Sequence, residues 1–193
     1  MEAMPVAERM TAEEFLALPV TDRTRFASLV EGEVVVNDPR PLHNYVATDL
    51  AFALQTWSRA RPGRGRAMIP LDVLLDRRNV FKPDILWYAE GRAPSRHAEP
   101  PSPLPDLAVE VRSPSTWRYD IGMKKAAYER HGLPELWLVD TAAEVVLGFR
   151  RSAPEASTFD VALELGREDR LESPLLPGFA LTVGKLFPER LSG

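Results

Sequence analysis

Three short stretches of this sequence carry charged side chains at spacings that could serve chemistry. The first is a strand-like run, VFKPDILWYA, in which Pro83 and Asp84 interrupt residues of high β propensity. Proline cannot donate a hydrogen bond to a neighbouring strand, and a buried carboxylate is costly without a partner. The pair therefore indicates either a strand entrance with Asp84 in solvent, or a site in which Asp84 faces a positive charge.

The second stretch is LAVEVR, in which apolar residues alternate with others. Because strand side chains alternate between faces, Glu110 and Arg112 lie on the same face. If the Asp84 strand is a neighbour, Asp84 and Glu110 can converge, and two close carboxylates require a cation between them. Two carboxylates completed by water suit Mg²⁺ or Mn²⁺, since hard ions prefer oxygen ligands.

The third stretch, YDIGMKKAAYER, places Asp120, Lys124 and Tyr128 four residues apart on one side of a predicted helix. The turn before this helix is short, so Lys124 could reach the carboxylate pair. A lysine there could orient a metal-bound water, accept its proton or hold the attacked phosphate. Arg112 could neutralise a phosphate but could not act as a base, because arginine does not lose its proton in proteins.

Each of these residues also has an ordinary structural interpretation. Asp120 and Lys124 could form a solvated helix pair that contributes about 0.3–0.5 kcal/mol. Glu110 and Arg112 could form an exposed pair on a half-solvated strand. His43, at the start of an apolar helix, could be a capping or packing residue instead of a site residue. It is the order of the three motifs along the chain that favours a site.

The remaining pattern predicts a mixed α/β or α+β sheet with helices packed on it. Thr11 predicts the N-cap of a short helix, and residues 26–37 predict a hairpin around Glu31-Gly32. Apolar residues at helical spacing predict an amphipathic helix from Pro41. AMIPLDVLLD and VFKPDILWYA predict two strands joined by a turn, and a helix is expected from Trp117 to about His131, followed by the strands ELWLVD and EVVLGFR.

A proline-rich segment, residues 91–106, is long for a loop in a compact domain and is a candidate lid or flank of a site. Neither an internal repeat nor a linker is evident. We therefore expect one domain over residues 1–193, with a core from about residue 10 to residue 187.

Composition narrows the class of protein. The chain has 193 residues, a net charge of −4 and no cysteine. The charge gives no global basic field for nucleic acid, although a local basic patch could still bind phosphates. The lack of cysteine excludes disulfides and thiolate chemistry and fits a reducing cytoplasm. No run is apolar enough for a membrane span, and the acidic start with Pro5 does not fit a signal peptide, so we expect a cytoplasmic protein without membrane contact.

The motifs KPDILWY and PDLAVEVRSPSTWRYDIGMKKAAYERHGLPELWLVD, with the closing LESPLLPGFALTVGKLF, resemble a large bacterial family of restriction-endonuclease-like proteins within the PD-(D/E)XK nuclease superfamily. The resemblance runs from about Met10 to Phe187. It implies a restriction-endonuclease-like mixed central sheet flanked by helices and a divalent-metal site at Asp84 and Glu110. It also implies that the superfamily lysine has moved to the helix as Lys124, with Arg112 in its usual position.

One position departs from the pattern of this family. Its members carry a glutamate three residues before the acidic residue–glycine pair of the first hairpin, where this chain has Ser28. Glu31 and Glu33 stand at other places in the hairpin and need not replace it. His43, in PLHNY, matches a histidine that is common in the family, which favours a position near the site.

The sequence therefore predicts a metal-dependent nuclease that hydrolyses phosphodiester bonds of nucleic acid, with DNA favoured. The alternative is an inactive module that keeps the fold and binds nucleic acid or a protein partner. A homodimer stays open, since Trp87 and Trp117 could form a dimer surface or belong to the core. Arginines at the end of the long helix and in the following loop are candidate phosphate contacts: Arg59, Arg61, Arg64 and Arg66.

Overall fold

The computed structural model describes residues 9–21 and 24–187. Residues 1–8, which carry much of the expectation that no signal peptide is present, lie outside the described residues. The first helix begins with a capping box: the Glu14 N–H donates to the Thr11 hydroxyl, and the Thr11 N–H donates to the Glu14 carboxylate. This reciprocal pair satisfies two N–H groups at the helix start. The N-cap predicted at Thr11 is confirmed.

The elements follow the predicted order closely. Helices α1 to α4 span Ala12–Leu16, Pro41–Arg59, Trp117–Tyr119 and Lys125–Arg130. Strands β1 to β6 span Ala27–Val30, Glu33–Val36, Arg66–Met68, Val73–Asp76, Asn79–Phe81 and Ile85–Tyr88. Strands β7 to β12 span Leu107–Val111, Glu135–Asp140, Val145–Arg150, Val161–Leu165, Arg170–Leu171 and Leu181–Thr182.

The central sheet has six strands in the order β10-β9-β8-β7-β6-β3. Strands β7 and β8 are parallel, and the other pairs are antiparallel, so the sheet is mixed. One face packs against α2 through residues such as Leu50 and Val109. The other face packs against the region of α3 and α4 through residues such as Ala108 and Tyr128. Both faces of β7 are therefore buried, which explains its unbroken apolar and small residues apart from Glu110.

A second sheet has four strands in the order β2-β1-β5-β4. The β1–β2 hairpin turns at Glu31 and Gly32, both of which have positive φ angles, 49° and 81°. A two-residue turn with positive φ at both positions matches the right-handed twist of the strands it joins, and glycine is the residue that adopts it most easily. The hairpin predicted from the sequence is present.

Two strands predicted as continuous are each divided between the two sheets. AMIPLDVLLD becomes β3 in the central sheet and β4 in the smaller one, and VFKPDILWYA becomes β5 and β6. The breaks fall around Pro70 and at Pro83-Asp84. Proline cannot donate a ladder hydrogen bond, so the chain can leave one sheet there and enter the other. Asp84 thus stands at a crossing between two sheets.

The helix predicted from Trp117 to about His131 contains an irregularity. Between α3 and α4, Asp120–Lys124 forms a π-helical segment, a wider turn that is rare and occurs frequently at functional sites. The helix stops before Gly132, whose φ angle is +83°. Glycine adopts this conformation easily and commonly ends helices, so the helix ends close to the predicted position at His131.

These elements make an α+β fold with a mixed central sheet flanked by few helices, and the fold class predicted from the sequence is confirmed. Trp87 is buried in the core of the central sheet. It is therefore not a surface that a second copy could contact. Among residues 9–21 and 24–187, no helix combines the length and the apolar character that crossing a bilayer requires.

Candidate active site

Asp84 lies one residue before β6, where the chain passes between the sheets. Its Oδ2 accepts a hydrogen bond of 2.7 Å from the N–H of Val111, and its Oδ1 lies 3.2 Å from Nε2 of His43. His43 stands in the first turn of α2, so Asp84 joins the end of β7 to the start of that helix. Burial lowers the pKa of His43, but the hydrogen bond and the charge of Asp84 act the other way, and the pKa is raised.

Glu110 stands on β7 beside Asp84. Strands β6 and β7 are antiparallel neighbours with Ile85 opposite Val109, and one further step in the same register brings Asp84 next to Glu110. The Glu110 side chain is buried on the face of the sheet that α4 covers. Two acidic residues from separate strands therefore occupy adjacent positions in the sheet.

Lys124 brings the helix into the same group. Its Nζ lies 3.2 Å from Oε1 of Glu110 and 2.8 Å from Oδ1 of Asp120. The hydroxyl of Tyr128 donates to the same Oε1 of Glu110 at 3.0 Å. All four side chains are buried, so their charges and dipoles interact in a medium of low dielectric. We call Glu110, Asp120, Lys124 and Tyr128 the buried polar group.

The pKa values of this group follow from burial and from its opposed charges. Burial raises the pKa of Glu110 to about 8 although Lys124 acts to lower it, and the charges of Asp120 and Asp84 add to the rise. Burial also disfavours the charged form of Lys124, but the carboxylates of Asp120 and Glu110 outweigh this effect and raise its pKa above the ordinary value. Lys124 is therefore an ammonium donor at neutral pH, whereas Glu110 is poised to gain or lose a proton.

A chain of hydroxyl groups holds Asp120 in place. The Thr116 hydroxyl donates to Oδ2 of Asp120 at 2.9 Å, and the Ser113 hydroxyl lies 2.9 Å from that of Thr116. The π-helical segment begins at Asp120 and ends at Lys124, so both ends of the ion pair lie in the wider turn. The SPST turn thus acts as a support for Asp120 more than as a conventional helix cap.

The structure does not bring Arg112 into this group. Its guanidinium donates to both carboxylate oxygens of Asp140, each at 2.9 Å, and lies over the ring of Trp117. Arg112 follows the last residue of β7, and one further step in the β7–β8 register brings it opposite Asp140. The pairing ties the end of β7 to the end of β8.

Two contacts near the site were not foreseen from the sequence. Spacing placed Tyr128 on the same side of the helix as Lys124, but not its hydrogen bond to Glu110. The hydrogen bond from the N–H of Val111 to Asp84 could not be predicted, because almost every residue type carries the same backbone donor. Helical spacing from Lys124 was the signal that could have identified Tyr128.

Ser28 occupies a buried position on β1, and its hydroxyl accepts a hydrogen bond of 3.1 Å from the N–H of Lys82. The nearby acids are engaged elsewhere. Glu33 accepts from the hydroxyl of Tyr119 at 2.7 Å, and Glu31 pairs with Arg130 at 3.1 Å. Neither glutamate therefore takes the place that Ser28 leaves without a carboxylate.

The donor set around Glu110 fits a hard divalent cation. Both hydrogen bonds that Glu110 accepts from the described residues go to Oε1, which leaves Oε2 without a protein donor. Among residues 9–21 and 24–187, no three His, Cys, Asp or Glu side chains converge closely enough to hold a metal by themselves. A site of two carboxylates, Asp84 and Glu110, would need water to complete it, which is the usual arrangement for Mg²⁺.

Comparisons with known proteins agree with this fold. A family model described as "Uma2: Putative restriction endonuclease" matches residues 12–184. The crystal structure of a putative nuclease belonging to DUF820 from Anabaena variabilis ATCC 29413 is 20% identical in sequence, with a TM-score of 0.75. The match covers 92% of this chain and 97% of that chain, which shows a shared fold. No curated protein matches the chain.

Proposed function

Because the chain belongs to the Uma2 family of putative restriction endonucleases, we propose that it is a metal-dependent nuclease that hydrolyses phosphodiester bonds of nucleic acid. DNA is the favoured substrate. The observation that carries the proposal is a buried lysine ammonium, Lys124, held 2.8 Å from Asp120 and 3.2 Å from Glu110, whose neighbouring strand β6 begins directly after Asp84. A stable core gains little from such a costly buried arrangement, which therefore favours function.

Asp84 and Glu110 would hold a Mg²⁺ or Mn²⁺ ion between neighbouring strands. Once bound, the ion supplies a water of lowered pKa and stabilises negative charge on the attacked phosphate. The two carboxylates would be ionised in that state, since a divalent cation favours the charged form of Glu110. The His43 contact and the Val111 N–H would keep Asp84 aimed at the ion.

Lys124 would act as a hydrogen-bond donor. Its raised pKa keeps the ammonium charged at neutral pH, so it can orient the attacking water or bind a phosphate oxygen but is not suited to accept a proton. Asp120 would position Lys124, and Tyr128 would position Glu110 through its hydroxyl. Arg112 would act indirectly, since its pairing with Asp140 fixes the end of β7.

Cleavage assays with purified protein test this proposal. Single- and double-stranded DNA and RNA are incubated with Mg²⁺ or Mn²⁺ and with wild type, Asp84→Asn, Glu110→Gln or Lys124→Met. We expect each variant to lose at least about 100-fold in rate, because each removes a ligand or a donor of the transition state. The control is Lys125→Met, which changes the neighbouring lysine. Cleavage that persists in Asp84→Asn and Lys124→Met contradicts the assigned site.

The second candidate is an inactive module that keeps the fold and binds nucleic acid or a protein. Ser28 favours it, because its hydroxyl is bonded to the N–H of Lys82 where the family pattern has a carboxylate. Calorimetric titration with Mn²⁺ separates the two candidates. A nuclease binds the ion through Asp84 and Glu110, whereas an inactive descendant gives no heat of binding.

A further inference from the structure

A cavity of about 580 Å³ opens at the edge of the central sheet, on the β3 side of Asp84. Prolines and other apolar residues form much of its wall, and its positive charges are Arg66, Lys82 and Arg96. This size is within the range of pockets that bind small molecules, about 300–1,000 Å³. We call this cavity the edge groove.

The edge groove is adjacent to the candidate active site. Strands β3 and β6 pair with Met68 opposite Leu86, and the chain that leaves β3 continues through Pro70 into the wall of the groove. Lys82 lines the groove and precedes Asp84 by two residues, so their Cα atoms are at most about 7.6 Å apart. A ligand in the groove would therefore lie next to the proposed metal ligands.

The outer wall of the groove is the proline-rich segment 91–106. Hydrogen bonds attach it to the body of the protein: the N–H of Ser102 donates to the Asp72 carbonyl at 2.7 Å, and the Tyr88 hydroxyl donates to the Pro103 carbonyl at 2.8 Å. Of the two interpretations of this segment, lid or flank, these attachments favour a flank. The groove has a preformed shape.

Two of the three cations in the groove are available for a ligand. Lys82 lies 3.2 Å from Asp72, which offsets its charge. The guanidinium groups of Arg66 and Arg96 form no ion pair with any residue in the ranges 9–21 and 24–187. The whole chain carries a net charge of −4, so the groove is a local exception to an acidic surface. Such an exception favours an anionic ligand, and phosphate groups suit the arginine fork.

We propose that the edge groove binds a single strand of nucleic acid, with backbone phosphates on Arg66 and Arg96 and an unstacked base against the apolar wall. The inference rests on the proposed nuclease function and names the form of its substrate. The side chains of Asp84 and Glu110 are only 11% and 4% exposed, so the proposed reactive centre is recessed. A duplex is stiff and presents its bases inside, whereas a single strand can enter a concave groove and splay its bases.

Fluorescence anisotropy tests this proposal without requiring cleavage. Labelled single-stranded DNA, single-stranded RNA of the same sequence and a hairpin duplex are titrated with the full chain in EDTA at several salt concentrations. The test variant is Arg66→Ala with Arg96→Ala. The control is Arg170→Ala, which changes an exposed arginine on β11 that pairs with Glu172, outside the central sheet. The DNA and RNA arms show which sugar the groove prefers.

Single strands are expected to bind wild type at least about tenfold more tightly than the duplex, because a flexible strand can enter the groove and place its splayed bases against the apolar wall. The double variant should reduce the slope of log K against log salt by about 1.4, since each phosphate contact to a single strand contributes about 0.7. The control variant should keep the wild-type slope.

Three results would overturn the proposal: no binding of any strand, a duplex bound as tightly as a single strand, or an unchanged salt slope in the double variant. Cleavage by wild type in Mg²⁺, measured separately, distinguishes this failure from failure of the proposed function. If wild type cleaves but the double variant binds normally, the groove proposal is wrong and the nuclease proposal stands. If wild type binds single strands through the two arginines but does not cleave them, the groove proposal stands and the protein is an inactive binding module.

Discussion

Glu110 and Glu135 are buried glutamates on adjacent strands of the central sheet, β7 and β8, each only 3% exposed. Burial raises the pKa of both. Glu135 accepts hydrogen bonds from two neutral donors, the Trp137 ring N–H at 2.6 Å and the Ser173 hydroxyl. Glu110 instead meets the Lys124 ammonium and the charges of further carboxylates.

The comparison separates a structural carboxylate from a candidate catalytic one. Neutral donors satisfy Glu135 inside the core, so nothing further is needed there. The buried polar group holds Glu110 and Asp120 around one ammonium, with Asp84 on the next strand. Such crowding of negative charge is suited to a divalent ion, because the Lys124 ammonium offsets only part of the negative charge of the three carboxylates. A buried glutamate with a raised pKa is therefore not by itself a candidate metal site. Other carboxylates must lie close to it, as they do around Glu110.

The largest expected effect comes from removing the ammonium. Lys124→Met should lower the free energy of unfolding by about 3–5 kcal/mol, because it leaves buried carboxylates without a cation. Lys125→Met, at the next position, should change it by about 0.5 kcal/mol or less, because Lys125 forms a ring contact with Phe149 and, among the described residues, no buried ion pair. Urea unfolding of both variants measures the difference. Equal and small losses would show that the buried polar group is not a coupled unit.

Tyr128→Phe should have a smaller effect on stability, about 0.5–1.5 kcal/mol, because it removes one buried hydroxyl and keeps the ring. If Tyr128 positions Glu110, kcat should fall about tenfold while KM changes little, since the substrate itself is not contacted. Tyr119→Phe is the matched control: it removes the hydroxyl that bonds to Glu33, outside the buried polar group. A loss of kcat equal in both variants would assign Tyr128 a purely structural role.

The smallest effect is a pH dependence at Glu135. Burial raises its pKa above the ordinary 4.5, so the folded state binds this proton more tightly than the unfolded state does. The stability of wild type should therefore decline as the pH rises above about 4.5, until Glu135 ionises in the folded state as well. Glu135→Gln should show a shallower decline, because Glu110, whose pKa is also raised, still contributes to it. Chemical unfolding from pH 4 to 7 measures it, and parallel curves for the two proteins would contradict the assignment.

The sequence predicted side-chain positions well where the regular spacing of a single strand or helix determines them. Helical spacing from Asp120 identified Lys124, whose Nζ the structure places 2.8 Å from Asp120 and 3.2 Å from Glu110. The N-cap at Thr11 and the Glu31-Gly32 turn are likewise local, so residue types alone predicted them. The catalytic roles themselves stay predictions.

The sequence predicted less where a structure depends on contacts between distant segments of the chain. Pro70 and Pro83 interrupt runs that keep high β propensity, and only the packing of the whole chain determines that the strands on either side join different sheets. The partner of Arg112 is Asp140, the last residue of the parallel neighbour β8. The two residues are far apart in sequence, so no local pattern specifies the pair. The wider turn at Asp120–Lys124 has no signature in residue types that would distinguish it from an α-helix.

The central claim is that the crowded carboxylates of Glu110 and Asp84 bind a divalent ion and that Glu135 does not. Calorimetric titration of wild type, Glu110→Gln, Asp84→Asn and Glu135→Gln with Mn²⁺ tests it most directly. The account predicts one binding site in wild type and in Glu135→Gln, and a loss of affinity of more than about 100-fold in the other two variants. Wild-type affinity in Glu110→Gln, or an equal loss in Glu135→Gln, would contradict it.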